Sequence, residues 1–72
     1  MPLPAHIRRI SEDVMVLDSD HKWHTLPVGT LVWFGLTTDE NPEIGVFSRT
    51  KETEVGTAPT GATFRMNMRF VA

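Results

Sequence analysis

Ala62, Phe64, Met66, Met68 and Phe70 alternate with Thr63, Arg65, Asn67 and Arg69 at a strict period of two. Only an extended chain puts every second side chain on one face, so residues 62–70 predict a strand with one buried face and one polar face carrying two arginines. Thr30-Leu31-Val32-Trp33-Phe34-Gly35-Leu36 is apolar at both parities. That pattern predicts a central strand covered on both sides, either by the fold alone or by the fold and another subunit. Ile44-Gly45-Val46-Phe47-Ser48-Arg49-Thr50-Lys51 begins apolar and ends charged, and Asp13-Val14-Met15-Val16-Leu17-Asp18 is a short β-rich run bracketed by acids. Both read as strands. Over residues 3–12 the pattern is divided: Ile7, Ile10 and Val14 have helical spacing, yet the same residues serve as a first strand, and Pro2 and Pro4 exclude a regular start before them. The expectation is an arm, residues 1–6, leading into a strand.

Strong breakers separate these runs. Leu26-Pro27-Val28-Gly29-Thr30 fits a tight turn, with proline presetting φ and glycine supplying a positive φ nearby. Thr38-Asp39-Glu40-Asn41-Pro42-Glu43 reads as a polar hairpin connection, and Gly56-Thr57-Ala58-Pro59-Thr60-Gly61 as a longer mobile loop of small residues. Short strands at this spacing predict one all-β domain over residues 1–72, a small antiparallel barrel or compact sandwich of four to five strands with an extended N-terminal arm.

Length then bears on function. A chain of 72 residues buries only about 60% of the surface it exposes when unfolded, so its core is marginal. Small scaffolds find support in disulfides, a metal or oligomerisation. With no cysteine in the chain, the first is closed, together with thiolate zinc sites and cysteine nucleophiles. No apolar stretch reaches the length of a signal-peptide core or a membrane span, so the expected location is the cytoplasm or a virion.

A net charge of −2 argues against a dedicated duplex-DNA binder, whose affinity comes from neutralising phosphates. The charge is also unevenly spread. Between Glu12 and Glu43 seven acids face one base, Lys22, while Arg8, Arg9, Arg49, Lys51, Arg65 and Arg69 lie toward the two ends. Such polarity suits an anionic partner or head-to-tail meeting of copies.

The densest chemistry is Asp18-Ser19-Asp20-His21-Lys22-Trp23-His24. His21 and His24 are three apart, but the local pattern is not helical and nothing brings a third ligand to them, so no metal site and no cofactor are expected. Asp18, Ser19 and Asp20 are turn formers after an apolar strand, and the stretch reads as a polar turn with half-exposed histidines. Ser19 or Ser48 with His24 and Asp39 makes a triad only on paper, since no nucleophile-elbow context accompanies them. No catalytic residue is assigned.

Binding remains. Trp23, Trp33 and Phe34 are the residues expected to make apolar contact with a protein partner, and Arg49, Lys51, Arg65 and Arg69 to meet anionic groups. If the 44–51 and 62–71 runs pair antiparallel, those four basic residues can share a face. The reading is a non-enzymatic binding or assembly module that forms a homo-oligomer or docks on a larger protein complex. A virion accessory or capsid-decorating subunit is one concrete form. The five residues Leu26–Thr30 resemble a turn that precedes a buried strand in small β-proteins decorating phage capsids. The alternative is a small-barrel single-stranded nucleic-acid-binding or regulatory protein, using a basic groove with aromatic platforms.

Overall fold

The computed structural model describes residues 6–38 and 40–72. Six strands follow one another: β1 (Ile7–Arg9), β2 (Val14–Leu17), β3 (Trp23–Leu26), β4 (Leu31–Thr37), β5 (Ile44–Thr53) and β6 (Gly56–Asn67), with a 3-10 turn at Met68–Phe70 and no α-helix among the described residues. Strands β1, β4, β5 and β6 form an antiparallel sheet in the order β1-β4-β5-β6, and β2 and β3 form a two-stranded one. The protein is therefore all-β and antiparallel. Among the described residues there are six strands rather than four or five, because both β1 and the β2–β3 hairpin add short strands of their own.

The alternation in β6 is realised where it matters. Phe64 and Met66 are buried, Thr63 and Arg65 exposed. Phe64 pairs with Phe47, and Phe47 with Phe34, so one row of aromatic rings crosses three strands on the inner face. Ring centroids lie 5.4 Å apart for Phe34–Phe47 and 6.1 Å for Phe47–Phe64. Val16 and Leu26 of the hairpin cover this row, and together with Ile10, Val32 and Met66 they complete the core. Burying each such side chain stabilises the fold by about 1.5–3 kcal/mol.

One hydrogen-bonded seam joins the two sheets, and a second ties the end of β1 to the residues that follow β6. At the end of β2, Ser19 N–H donates to the Thr63 carbonyl (2.8 Å) and Thr63 N–H to Ser19 Oγ (3.2 Å), and Asp18 bridges to Phe64. The hairpin thus lies alongside β6. At the C-terminus, Val71 bridges to Ile10, Ser11 N–H donates to the Phe70 carbonyl, and Ala72 N–H to the Arg9 carbonyl.

Several expectations are corrected. Gly56–Gly61 is not a mobile loop. Gly56, Thr57, Ala58 and Pro59 pair with Thr53, Glu52, Lys51 and Thr50, so the strand runs from Gly56 through to Asn67 and the turn is Glu54–Val55. Pro59 is tolerated because it sits where the register shifts between Ser48 and Thr50, a bulge position at which a missing N–H costs little. The last strand ends earlier than its alternation suggests: Asn67 caps the 3-10 turn, its side chain accepting from Arg69 N–H at 2.9 Å, so Met68 to Phe70 leave the ladder. Strand β4 is interior, between β1 and β5, but it is not covered on both sides along its length, since Leu36 is 60% exposed. Of the expected arm, residues 1–5 lie outside the described residues, as does Asp39 in the β4–β5 connection; His6 is exposed and Ile7 opens β1.

Candidate functional site

Within the Asp18–His24 stretch, Ser19–His21 form a three-residue hairpin loop closed by Asp18 and Lys22, and Trp23 and His24 open β3. Asp18 N–H donates to the Lys22 carbonyl (3.0 Å) and His21 N–H to the Asp18 carbonyl (3.0 Å), while His21 takes φ +62°. This is a tight turn followed by one left-handed residue, a common three-residue connection between antiparallel strands. The turn reading holds for residues 18–22. The expectation of half-exposed turn histidines holds for neither: His21 is exposed, and His24 belongs to β3 and points inward.

His24 is held there by Asp18. Its Nε2 lies 2.5 Å from Asp18 Oδ2, with the two side chains 24% and 6% exposed. The other carboxylate oxygen, Oδ1, accepts from Asp20 N–H (2.8 Å) and Lys22 N–H (3.0 Å). On the far side of the ring, Arg49 Nη1 is 3.5 Å from His24 Nδ1. A guanidinium only donates, so Nδ1 is the acceptor and Nε2 carries the hydrogen given to Asp18. The hydrogen bond from Lys22 N–H is the main cause that holds the Asp18 carboxyl below its ordinary value of 3.8; the bonds from His24 and Asp20 act the same way, against the opposing effect of burial. The three residues border an open groove of ≈ 210 Å³ shared with Lys22 and Thr60. Both ring nitrogens and both carboxylate oxygens are engaged, so the arrangement clasps the hairpin to β5. Among the described residues no three histidine, aspartate or glutamate side chains converge as a metal site needs.

The second feature is on the opposite face. In the β2–β3 ladder Leu17 pairs with Trp23 and Met15 with Thr25, while Val14 and Val16 pair with Leu26 and His24. Val16, His24 and Leu26 turn inward, which forces Met15, Leu17 and Trp23 outward together. Met15 and Trp23 are each 64% exposed. Beside them, Leu36, Val46 and Arg65 form one row across β4, β5 and β6. Met15, Leu17, Trp23, Val46 and Arg65 line a groove of ≈ 550 Å³, and Val46 and Arg65 also line a second of ≈ 420 Å³ that reaches Leu36 and Ile44.

The seven residues expected to bind partners are thus dispersed. Trp23 is on this outer face. Trp33 is half-buried on β4, its ring 4.4 Å from that of His6. Phe34 packs against the core and carries the Arg8 guanidinium 5.3 Å above its ring. Arg65 faces outward beside Val46, whereas Arg49 pairs across from Val32 and reaches His24 on the inner side. Lys51 is exposed on the outlying part of β5, and Arg69 lies in the 3-10 turn with its guanidinium 4.7 Å over Phe70. The shared basic face is therefore corrected: Arg49 and Arg65 are on opposite sides of the sheet, because Val46, three residues before Arg49, is the residue that pairs with Arg65. Met15, Leu17, Leu36 and Val46 were not singled out from sequence. They lie in runs with apolar residues at both parities, so parity alone does not tell the inward from the outward set.

Among the described residues no helix is long and apolar enough to cross a membrane. Compared with protein-family models, with curated proteins and with solved structures, the chain matches none.

Proposed function

We propose that this protein is a non-enzymatic assembly module that associates with copies of itself, or as a subunit of a larger protein complex, through the outer face of β2–β3 and the adjoining surface of β5 and β6. The observation that carries the reading is the side-by-side exposure of Met15, Leu17 and Trp23 in one ladder. Isolated exposed apolar residues are ordinary, but a contiguous set rimmed by polar side chains marks a contact surface. Tryptophan, methionine and arginine are also the residues favoured at the centre of such surfaces.

Magnitude supports a surface over a single anchor. Covering one large apolar side chain contributes about 1.5–3 kcal/mol, less than the roughly 4–15 kcal/mol of freedom that two molecules lose on association. Met15, Leu17, Trp23, Leu36 and Val46 together reach that range. A virion accessory or capsid-decorating subunit is one form this role takes, and it fits a small chain whose contacts are supplied by assembly. Nucleic-acid binding is less well supported, since the basic residues do not gather on one face and no aromatic stands beside Arg65 except Trp23.

Light scattering coupled to size-exclusion chromatography, over a concentration series, tests the reading. The wild-type chain is expected to elute as a multiple of 8.1 kDa, and Trp23→Ser to fall toward the single-chain mass at the same concentration. A wild-type mass of one chain at every concentration, unchanged by the substitution, contradicts self-association through this face.

A further inference from the structure

We propose that the outer groove receives the β5–β6 hairpin tip of a second copy, with Val55 entering between Trp23, Leu17 and Val46 while the Glu54 carboxylate pairs with Arg65. The inference rests on the assembly reading above and names the partner of the same surface.

The tip is built to protrude. The last pair between β4 and β5 is Val32–Arg49, whereas β5 and β6 continue pairing from Thr50–Pro59 out to Thr53–Gly56. This outlying hairpin is held in shape by its own bonds: Thr53 Oγ1 donates to the Gly56 carbonyl at 2.6 Å and Thr57 Oγ1 to Glu52 Oε1 at 3.2 Å. Gly56 takes φ +126°, a conformation open to glycine, at the exit of the turn. At the apex Val55 is 98% exposed. A formed strand pair thus presents a bare valine beside a glutamate.

The groove has the complementary chemistry. Arg65 is exposed, lines both outer depressions, and makes no side-chain hydrogen bond or ion pair among the described residues. Apolar side chains flank it: Val46 and Leu36 across the sheet, Leu17, Met15 and Trp23 toward the hairpin. Glu54 likewise has no side-chain partner among the described residues, and Glu52 adds a second negative charge to the tip. An arginine set among apolar groups favours a carboxylate that arrives with an apolar neighbour, because both are desolvated together.

One molecule cannot make this contact with itself. Glu54, in the turn just beyond β5, is eight residues from Val46, the partner of Arg65, which at the rise of a strand places them about 25 Å apart. The tip must therefore enter another copy. Since tip and groove are different surfaces, the contact is heterologous and repeats head to tail, giving a ring if the rotation closes and a filament if it does not.

Charge reversal, singly and in combination, is the test. Arg65→Glu and Glu54→Arg alter exposed side chains, and unchanged circular dichroism confirms that each variant folds. By light scattering each variant alone is expected to need more than about tenfold higher concentration than wild type to assemble, because like charges then face each other at the contact. Combining the two substitutions in one chain restores the wild-type mass, since opposite charges again meet at every junction of a ring of any size or of a filament. A wild-type oligomer that persists in both variants, yet is lost in Trp23→Ser, overturns the tip-in-groove contact and leaves the assembly reading standing. Single variants that fail while the doubly substituted chain also fails to assemble overturn the Glu54–Arg65 pairing. A wild-type chain that stays monomeric overturns this inference and self-association together.

Discussion

Asp18 and His24 face each other across the first hairpin, the carboxylate receiving the imidazole at 2.5 Å from a position almost closed to solvent. The same carboxylate caps the turn through Asp20 N–H and Lys22 N–H. One side chain therefore ties the loop, β3 and, through His24, Arg49 of β5 into a single unit.

Its consequence is an acid-sensitive hairpin. The folded carboxyl is held below 3.8, so the unfolded chain takes up the proton first as pH falls. The stability that Asp18 supplies is fully present above that value and is lost as pH drops through the lower folded value. Urea unfolding across acidic pH should show the wild-type free energy falling more steeply than that of Asp18→Asn, which has no proton to gain. Parallel curves would show that Asp18 is no more stabilised in the fold than in the open chain.

His21 pays for its place in the loop. A non-glycine residue with φ +62° is strained by about 1–2 kcal/mol, and the exposed imidazole has no compensating side-chain bond among the described residues. After the extra freedom that glycine gives the unfolded chain is subtracted, His21→Gly is expected to stabilise the protein by about 0.5–1 kcal/mol. A higher urea midpoint with unchanged slope is the expected reading. A lower midpoint would mean that the histidine ring contributes more than its backbone costs.

Gly45 is the converse case. It faces the core opposite Met66, and a Cβ there would stand 2.6 Å from Met68 Sδ and 2.7 Å from a ring carbon of Phe47. Met68 is flexible, but Phe47 is fully buried between two other rings and has nowhere to move. Gly45→Ala should cost about 1–3 kcal/mol, the usual range for overpacking. Denaturation at equilibrium measures it, and an unchanged midpoint would show that Met68 alone absorbs the added methyl.

Trp23 separates folding from assembly. Because it projects from the outer face, Trp23→Ser should leave the unfolding free energy of the dissociated chain within about 0.5 kcal/mol of wild type. A loss comparable to that of a core residue, several times larger, would place Trp23 in the fold and not in a contact surface.

How much of this was readable from the chain depends on where local chemistry decides. Phe64 and Met66 announce their face because threonine, arginine and asparagine alternate with them. Val14 to Leu17 do not, since all four are apolar, and only pairing with β3 and β6 turns Val16 inward and Leu17 outward. Gly56, Pro59 and Gly61 carry every local mark of a loop, yet pairing with β5 overrides them, helped by a register shift that accommodates the proline. Asp18 is legible as a turn former, and half of its carboxylate acts as one. Its burial beside Phe64 and its bond to His24 arise only when β2 meets β6. The separation of Arg49 from Arg65 is likewise a matter of register, and a slip of one residue exchanges the two faces of a strand.

Whether Trp23 is covered in solution is the most direct question. In a Trp33→Phe background Trp23 is the sole tryptophan, and its fluorescence quenching by acrylamide can be followed as protein concentration rises. Quenching should fall and the emission shift to the blue as copies come together and exclude water from the outer face. Equal quenching and an unmoved, water-like emission at every concentration would contradict a contact surface centred on Trp23.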